Sequence, residues 1–173
     1  MSTSTPTSTI AQDRAHIAMQ EKQLVFPAFD ANTAWSLGNT IRALAIERSL
    51  PVVIDIRRFG DPHQQLFYTA LPGTTPDNAR WVERKLKIVS RFHRSSYAAG
   101  LYLQEQGTTF EAKYSLPDAD YATHGGAFPI TIAGTGIVGS VTVSGLPMRA
   151  DHELAVEGIC LELKLDYASY RLP

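Results

Sequence analysis

Two glycines and a histidine stand together where a ligand could meet the main chain. His124, Gly125 and Gly126 come just before a predicted strand, and Tyr121 precedes them in the same loop. Adjacent glycines permit positive φ and let a ligand approach the backbone closely. This loop could therefore border a small-molecule pocket, and a sharp surface loop that carries an exposed histidine is an equally good interpretation.

A second histidine, His93, falls on the apolar face of a helix that the sequence predicts from Thr75 to about Gln104. Polar neighbours surround it, among them Arg91, Arg94 and Tyr97. A neutral imidazole can bind haem iron or transfer protons near neutral pH. No second ligand follows at helical spacing, so the favoured interpretation is a histidine at the core edge that hydrogen bonds to a hydroxyl or carbonyl.

Five cations form a row on that predicted helix, at alternating steps of four and three: Arg80, Arg84, Lys87, Arg91 and Arg94. Such a row is usually solvated or pairs with acidic side chains elsewhere in the fold, such as Glu153 and Glu157. It could also bind haem propionates, a phosphate or an acidic partner surface. The net charge of −1 argues against nucleic acid as the partner.

Gly134, Gly136 and Gly139 match the spacing of the dinucleotide-binding fingerprint. That fingerprint requires a strand that turns into a helix, so that the helix N-terminus meets the pyrophosphate. The next residues, 140–144, alternate and include β-branched side chains, which predicts a strand instead. We therefore interpret Gly134 and Gly136 as a hairpin turn and expect no nucleotide site there.

Composition narrows the classes of protein further. With 173 residues, 44% of them apolar and 19% charged, the chain is long enough for one well-buried core. Its single cysteine, Cys160, excludes an internal disulfide and favours the cytoplasm. We expect no membrane insertion, because the sequence has neither a secretory signal nor a run of about 18 apolar residues. No metal site is predicted, and no nucleophile and base pattern appears.

Periodicity and turn signals predict the elements that hold these residues. Residues 1–9 form a predicted flexible Ser/Thr tail, ahead of a single domain over residues 10–173. Helices are predicted over 10–24, from Asp30 or Asn32 to just before Pro51, from Thr75 to about Gln104, and from about Asp151 to Tyr167. Strands are predicted over 51–56, 65–71, near 109–114, and as a pair over 128–144. Strands that arrive in neighbouring pairs predict an α+β fold, with a mainly antiparallel sheet of about five strands flanked by helices.

Five ordered segments make the chain resemble a known family. They are Pro51 to Gly60, Leu71 to Asn78 with Trp81 and Lys85, Ser95 to Tyr97, His124 to Ile130, and Val138 to Pro147 with Asp151 and His152. Together these segments are similar to the haem-degrading-domain family, which is also called HbpS-like or GlcG-like. That family is related to the C-terminal domain of PduO-type corrinoid proteins. The resemblance is closest to its intracellular branch in bacteria and fungi.

The resemblance implies a profilin-like layered arrangement that assembles into homo-oligomers. It also implies binding of haem or a corrinoid, and a yeast relative is connected with protein targeting to the endoplasmic reticulum. Gly125, Gly126, Pro129 and the Val-Ser-Gly turn carry over to this chain by position. No haem-ligating residue can be matched in the same way.

Three functions stay open on these grounds. The leading hypothesis is an oligomeric protein that binds haem or a related tetrapyrrole between the Gly125 and Gly126 loop and the turn from His93 to Tyr97. The second is an enzyme of unknown metabolite chemistry that uses His93 or His124 as acid or base. The third is a protein-interaction module in which the cationic row binds an acidic partner, with a link to protein targeting.

Overall fold

The computed structural model describes residues 9–173, so residues 1–8 of the predicted tail lie outside the described residues. The helices over residues 9–173 are α1 Ile10–Gln23, α2 Ala31–Glu47, α3 Pro76–Phe92, α4 Ser96–Glu105, α5 Phe110–Tyr114 and α6 Met148–Glu162, with a 3-10 turn at Tyr167–Ser169. The strands are β1 Val53–Arg58, β2 Gln64–Ala70, β3 Ala127–Ile132 and β4 Gly136–Ser144. None of these helices has both the length and the apolar character needed to cross a membrane.

The strands form one antiparallel sheet in the order β2-β1-β4-β3. Helices α2 and α6 cover one face and α3 covers the other. The chain is therefore a single α+β domain, as the sequence predicted, with four strands within the described residues rather than about five. The strand predicted near 109–114 is instead the short helix α5. The Thr109 hydroxyl accepts a hydrogen bond from the Ala112 amide and caps this helix.

The two faces of the sheet differ in polarity because successive side chains of a strand point to opposite sides. Ile54 and Val141 belong to the main core beneath α2 and α6. Val53, next to Ile54 in β1, packs instead against α3. Asp55 and Thr142, directly opposite each other in the β1 and β4 register, lie on this second side and are fully buried. The sheet therefore buries polar side chains on the side that faces α3.

The glycine-rich segment is a hairpin turn, which confirms the interpretation from the sequence. Gly134 and Gly136 have φ values of 74° and 106°, which favour glycine. Gly136 pairs with Ile132 across the turn, and Gly139 lies inside β4 opposite Ile130. Since a strand, not a helix, follows the glycines, the segment lacks the helix N-terminus that a dinucleotide site needs.

The predicted long helix is two helices, so this prediction was wrong. His93 ends α3 in the left-handed conformation, with φ 55°. The Ser95 hydroxyl then accepts a hydrogen bond from the Ala98 amide at 3.2 Å and starts α4. His93 is consequently exposed at the junction between the two helices and does not lie on the apolar face.

The last helix is displaced toward the N-terminus relative to its prediction. The helix begins at Met148, directly after Pro147, and ends at Glu162. The predicted ends were about Asp151 and about Tyr167. Lys164, with φ 59°, reverses the chain after the helix, and the Leu165 amide donates to the Cys160 carbonyl at 2.8 Å. Asp151 and His152 therefore lie in the first two turns of α6, and both are buried.

Candidate functional site

A cavity of about 240 Å³ opens between the first half of α3, the end of β4 and the start of α6. It is lined by Asn78, Trp81, Lys85, His124, Ser144, Gly145, Leu146, Met148 and Asp151. Asn78, Trp81 and Lys85 follow one another at steps of three and four, so they form one stripe along α3. The cavity is therefore a helix face set against the turn from β4 into α6.

Local hydrogen bonds fix the α3 wall. The Thr75 amide donates to Asn78 Oδ1 at 2.8 Å, and Pro76 follows at the first helical position. One turn later, Trp81 Nε1 donates to Asp77 Oδ2 at 3.1 Å. The Arg84 guanidinium carbon lies 4.5 Å from the centre of the indole ring. The indole at the mouth of the cavity is thus held by a carboxylate and a cation of its own helix.

Lys85 and Asp151 form the floor of the cavity, where they are 3% and 1% exposed. Lys85 Nζ donates to Asp151 Oδ2 at 2.9 Å and to the Val143 carbonyl at 3.1 Å. The Asp151 carboxylate also accepts from the Leu146 amide at 2.9 Å and from the Gly145 amide at 3.3 Å. The ion pair therefore joins α3, β4 and α6 at one buried point.

Burial shifts the pKa values of both members of this pair toward the neutral forms. It lowers the pKa of the Lys85 amine, an effect opposed by the charge of Asp151. It raises the pKa of the Asp151 carboxyl, opposed by Lys85 and by the two amide donors. Transfer of a proton from the amine to the carboxylate is thus easier here than it is in water.

His124 stands exposed at the mouth of the cavity, with its ring centre 4.9 Å from that of Trp81. Partial burial lowers the pKa of His124, and the positive charges of Lys85 and Arg84 lower it further. The imidazole is therefore neutral near pH 7 and has a nitrogen lone pair available for a proton or a metal.

The glycine pair next to His124 is required by packing. A Cβ atom on Gly125 would overlap the Met148 carbonyl, and one on Gly126 would overlap the Val143 carbonyl. Gly126 also has φ 133°, and its Cβ would lie 2.9 Å from Lys85 Nζ. The loop can approach α6 and the lysine only because both residues lack side chains. A role of Gly125 and Gly126 in ligand binding stays a prediction.

Replacing Gly125 with alanine should lower the free energy of unfolding by about 1–3 kcal/mol, because the loop must move away from α6. Urea unfolding of the purified variant measures this change. Gly60→Ala is the matched control, since its nearest atom, the Pro62 carbonyl oxygen, would lie 3.3 Å from the new Cβ. Equal stability of the two variants would contradict the packing explanation.

The other predicted ligand residues lie away from this cavity, around the α3–α4 junction. Tyr97 is buried in a small cluster that contains Ile17, Leu101 and Leu172. Arg94 lines a separate depression of about 360 Å³. Arg91 donates to the Tyr121 hydroxyl at 3.2 Å. Of the seven predicted residues, only His124 lines the cavity, and Gly125 and Gly126 adjoin it.

The middle of the cationic row, from Arg84 to Arg91, faces the loop of residues 118–121. Arg84 donates to the Asp118 carbonyl at 2.6 Å, and Lys87 lies 4.0 Å from the Asp120 carboxylate. The expected pairing with Glu153 and Glu157 was wrong, because these acids lie on α6 and contact Arg149 and Arg48 respectively. Arg84, Lys87 and Arg91 therefore already have partners within the chain.

Lys85 and Asp151 carry part of the family resemblance, but neither was assigned to a site from the sequence. Lys85 lies three residues after Val82 and four before Val89, both of which are buried. A lysine at that spacing falls on the predicted apolar face, which was the available signal. Asp151 gave no such signal, because its partner is 66 residues away and the pairing depends on tertiary structure.

A second buried polar group involves His152, the next residue of α6. His152 Nε2 is 2.8 Å from Gln20 Oε1, and Gln20 Nε2 donates to the Tyr170 carbonyl at 2.6 Å. Within the described residues, His152 Nδ1 has no hydrogen-bond partner. Burial lowers the pKa of His152 to about 3, so this side chain is neutral and structural.

Acid–base chemistry at the two predicted histidines and metal binding gain little from the geometry. In the part of the chain that the structure describes, neither His93 nor His124 forms a hydrogen bond to a second side chain. No group of three or more histidine, cysteine, aspartate or glutamate side chains over residues 9–173 is arranged to hold a metal ion. The cavity thus combines an exposed imidazole at its mouth with a buried amine at its floor.

Comparison with solved structures agrees with this fold. The crystal structure of the Ybr137w protein superimposes with a TM-score of 0.79 at 31% identity, over 86% of each chain. The crystal structure of the PduOC:Heme complex gives a TM-score of 0.64 at 16% identity, over 77% of this chain and 94% of the other. At that identity the second likeness shows a shared fold alone.

Sequence comparison covers nearly the whole chain. A UPF0303 protein of Acidobacterium capsulatum is 58% identical over 164 residues, which are 95% of this chain and 98% of the relative. The family model described as haem degrading protein HbpS-like matches residues 29–160. The chain therefore belongs to the HbpS-like family of haem-degrading proteins.

Proposed function

We propose that the protein is a cytoplasmic ligand-binding protein that binds haem or a related tetrapyrrole at the mouth of the cavity, beside His124 and Trp81. One observation carries the proposal. Every residue that lines the cavity except Met148 belongs to the segments on which the family resemblance rests. Segments far apart in the chain thus converge on one small volume, as the residues of a binding site do.

The residues at the mouth have the chemistry that a tetrapyrrole requires. The neutral His124 imidazole is a ligand of the type that holds haem iron. A groove of about 560 Å³ also borders Trp81, and it is lined by Arg80, Arg84 and Lys87 together with Asp77, Glu83 and Asp118. These cations could hold propionate groups. Haem itself would supply the redox and iron chemistry.

The size of the cavity limits how a tetrapyrrole can bind. Pockets that enclose a drug-sized ligand measure about 300–1,000 Å³, and this cavity is smaller, at about 240 Å³. A tetrapyrrole would therefore lie mainly over the surface made by His124, Trp81 and Arg84. That the PduOC structure was obtained as a haem complex makes haem the first ligand to test.

Titration of the purified protein with haemin should give a saturable Soret shift, and His124→Ala should weaken binding about tenfold or more by removing the iron ligand. His93→Ala is the matched control, because that exposed histidine lies at the α3–α4 junction and should leave the titration unchanged. An unshifted Soret band, or weakening by His93→Ala alone, would contradict binding at this cavity.

Tryptophan fluorescence gives an independent measurement of the same event. The chain has two tryptophans, and Trp35, which is 64% exposed on α2, does not line the cavity. In a Trp35→Phe background, emission comes from Trp81 alone, so haemin bound beside the indole should quench it. The homo-oligomer stays a prediction, which light scattering on the same sample measures.

A further inference from the structure

Lys85 differs from the other lysines of the chain in its burial. The sequence has lysines at Lys22, Lys85, Lys87, Lys113 and Lys164. Lys85 is 3% exposed, whereas the other four lie at exposed or partly exposed positions. A lysine is rarely buried to this extent unless its charge is paired, and a buried amine is a common starting point for covalent chemistry.

The amino group of Lys85 has one hydrogen-bond donor left for a ligand in the cavity. Its hydrogen bonds within the described residues go to the Asp151 carboxylate and the Val143 carbonyl. An ammonium group has three donors, so one position of Nζ is left for a molecule in the cavity. Asn78 and His124, which also line the cavity, supply further polar groups for that molecule.

Asp151 is placed to take the proton that the amine must lose. Its Oδ2 lies 2.9 Å from Lys85 Nζ, within the reach that proton transfer requires. Two backbone amides hold the carboxylate in position, so it stays beside the amine while a ligand enters. A desolvated lysine beside a proton acceptor is the arrangement that activates an amine as a nucleophile.

We propose that Lys85 forms an imine with a small carbonyl compound, an aldehyde or an α-keto acid, that enters the cavity. This inference goes beyond tetrapyrrole binding, since it concerns the floor of the cavity and not its mouth. The volume of about 240 Å³ suits a molecule of a few heavy atoms. The ligand carbonyl would lie against Nζ, and its remaining polar atoms would face Asn78 and His124.

The chemical step balances with the groups present. The Lys85 ammonium gives one proton to Asp151 Oδ2, and the free amine adds to the carbonyl carbon as the C=O π bond breaks. A proton then moves from nitrogen to oxygen, which gives a neutral carbinolamine. Asp151 returns its proton to the carbinolamine hydroxyl, which leaves as water. The product is an iminium on Lys85 facing the Asp151 carboxylate, and no oxidant is consumed.

Reductive trapping tests this inference. The wild-type protein is incubated with glyoxylate and sodium cyanoborohydride, and each lysine is followed by peptide mapping with mass spectrometry. We expect Lys85 to be labelled several-fold faster than each of the other four lysines, although it is the least exposed. Labelling that simply follows exposure, with Lys85 the slowest, would overturn the proposal.

Two controls keep the result specific. In the unfolded protein in urea the preference for Lys85 should vanish, because the cavity and the neighbouring Asp151 are lost. Lys87→Arg, on the same helix, should remove one exposed label and leave the labelling of Lys85 unchanged. A preference for Lys85 that persists in urea would reflect local sequence alone and would refute the role of the cavity.

The outcome is independent of the tetrapyrrole proposal. Haemin binding is read from the Soret band and needs no covalent bond to Lys85. Trapping at Lys85 with no Soret shift would support the imine and reject the tetrapyrrole. A Soret shift with no preferential trapping would do the reverse.

Discussion

Lys85→Met should lower the free energy of unfolding by about 3–5 kcal/mol, because it leaves the Asp151 carboxylate buried without its counter-charge. The double variant Lys85→Met, Asp151→Asn should recover most of this loss. The asparagine is neutral and still offers an oxygen to the Leu146 amide, which donates to Asp151 at 2.9 Å in the native protein. Urea unfolding at pH 7 measures all three proteins.

The matched control for this experiment is Lys87→Met. Lys87 lies on the same helix with a side chain that is 42% exposed, and its Nζ is 4.0 Å from the Asp120 carboxylate. Exposed pairs of this kind contribute about 1 kcal/mol or less. If Lys85→Met cost no more than Lys87→Met, the pair at the floor of the cavity would not join α3 to α6 in the way described.

Acidification from pH 7 to pH 4 should cost the folded protein about 3 kcal/mol through His152 alone. The pKa of His152 is lowered to about 3 in the folded state by burial, and it is about 6.5 in an unfolded chain. As the pH falls below about 6.5, the unfolded state binds a proton that the folded state does not. Stability is therefore lost progressively below pH 6.5, and the loss levels off near pH 3.

The comparison of the wild type with His152→Gln isolates this contribution. Buried carboxyls such as Asp55 and Asp151 have raised pKa values and act in the opposite sense, so the wild-type pH dependence is a sum. Between pH 7 and pH 4, the free energy of unfolding of His152→Gln should fall by about 3 kcal/mol less than that of the wild type. His16→Gln, at a partly exposed position, should show the same fall as the wild type. Equal acid losses in the wild type and His152→Gln would contradict a neutral buried imidazole.

Local signals in the sequence predicted the elements whose ends are marked by specific residues. Asp30, one of the two predicted N-caps, accepts a hydrogen bond from the Thr33 amide at 2.9 Å and starts α2. The turn at Gly134 and Gly136 was equally clear, because it needs positive φ. These features depend on neighbours within four residues, which is the range that a sequence pattern can report.

The break at His93 gave no comparable signal. The apolar spacing of Val82, Leu86 and Val89 continues through His93 to Tyr97, so periodicity alone predicts one helix. The left-handed residue at the break is a histidine and not a glycine. The short helix at Phe110 was missed for a related reason, since its aromatic residues have strand propensity and are held by packing against Phe92.

The candidate site also contains residues that local sequence signals indicate and residues that only tertiary packing brings together. His124 and its glycines were predicted because three unusual residues are adjacent in the chain. The partners that complete the cavity could not be predicted, since Lys85 meets Asp151 only when α3 packs across the end of β4. Sequence reasoning therefore singled out one residue at the mouth of the cavity and none at its floor, and the role of His124 in binding stays a prediction.

Neighbours in the first two turns of α6 serve two separate hydrogen-bond systems. Asp151 is bound to Lys85 of α3, and His152 to Gln20 of α1. The start of α6 thus connects α1 and α3, two helices from different parts of the chain. Because neighbouring residues of α6 form both hydrogen bonds, a movement of this segment would change both of them at once. The floor of the cavity and helix α1 are therefore held by the same turn of α6.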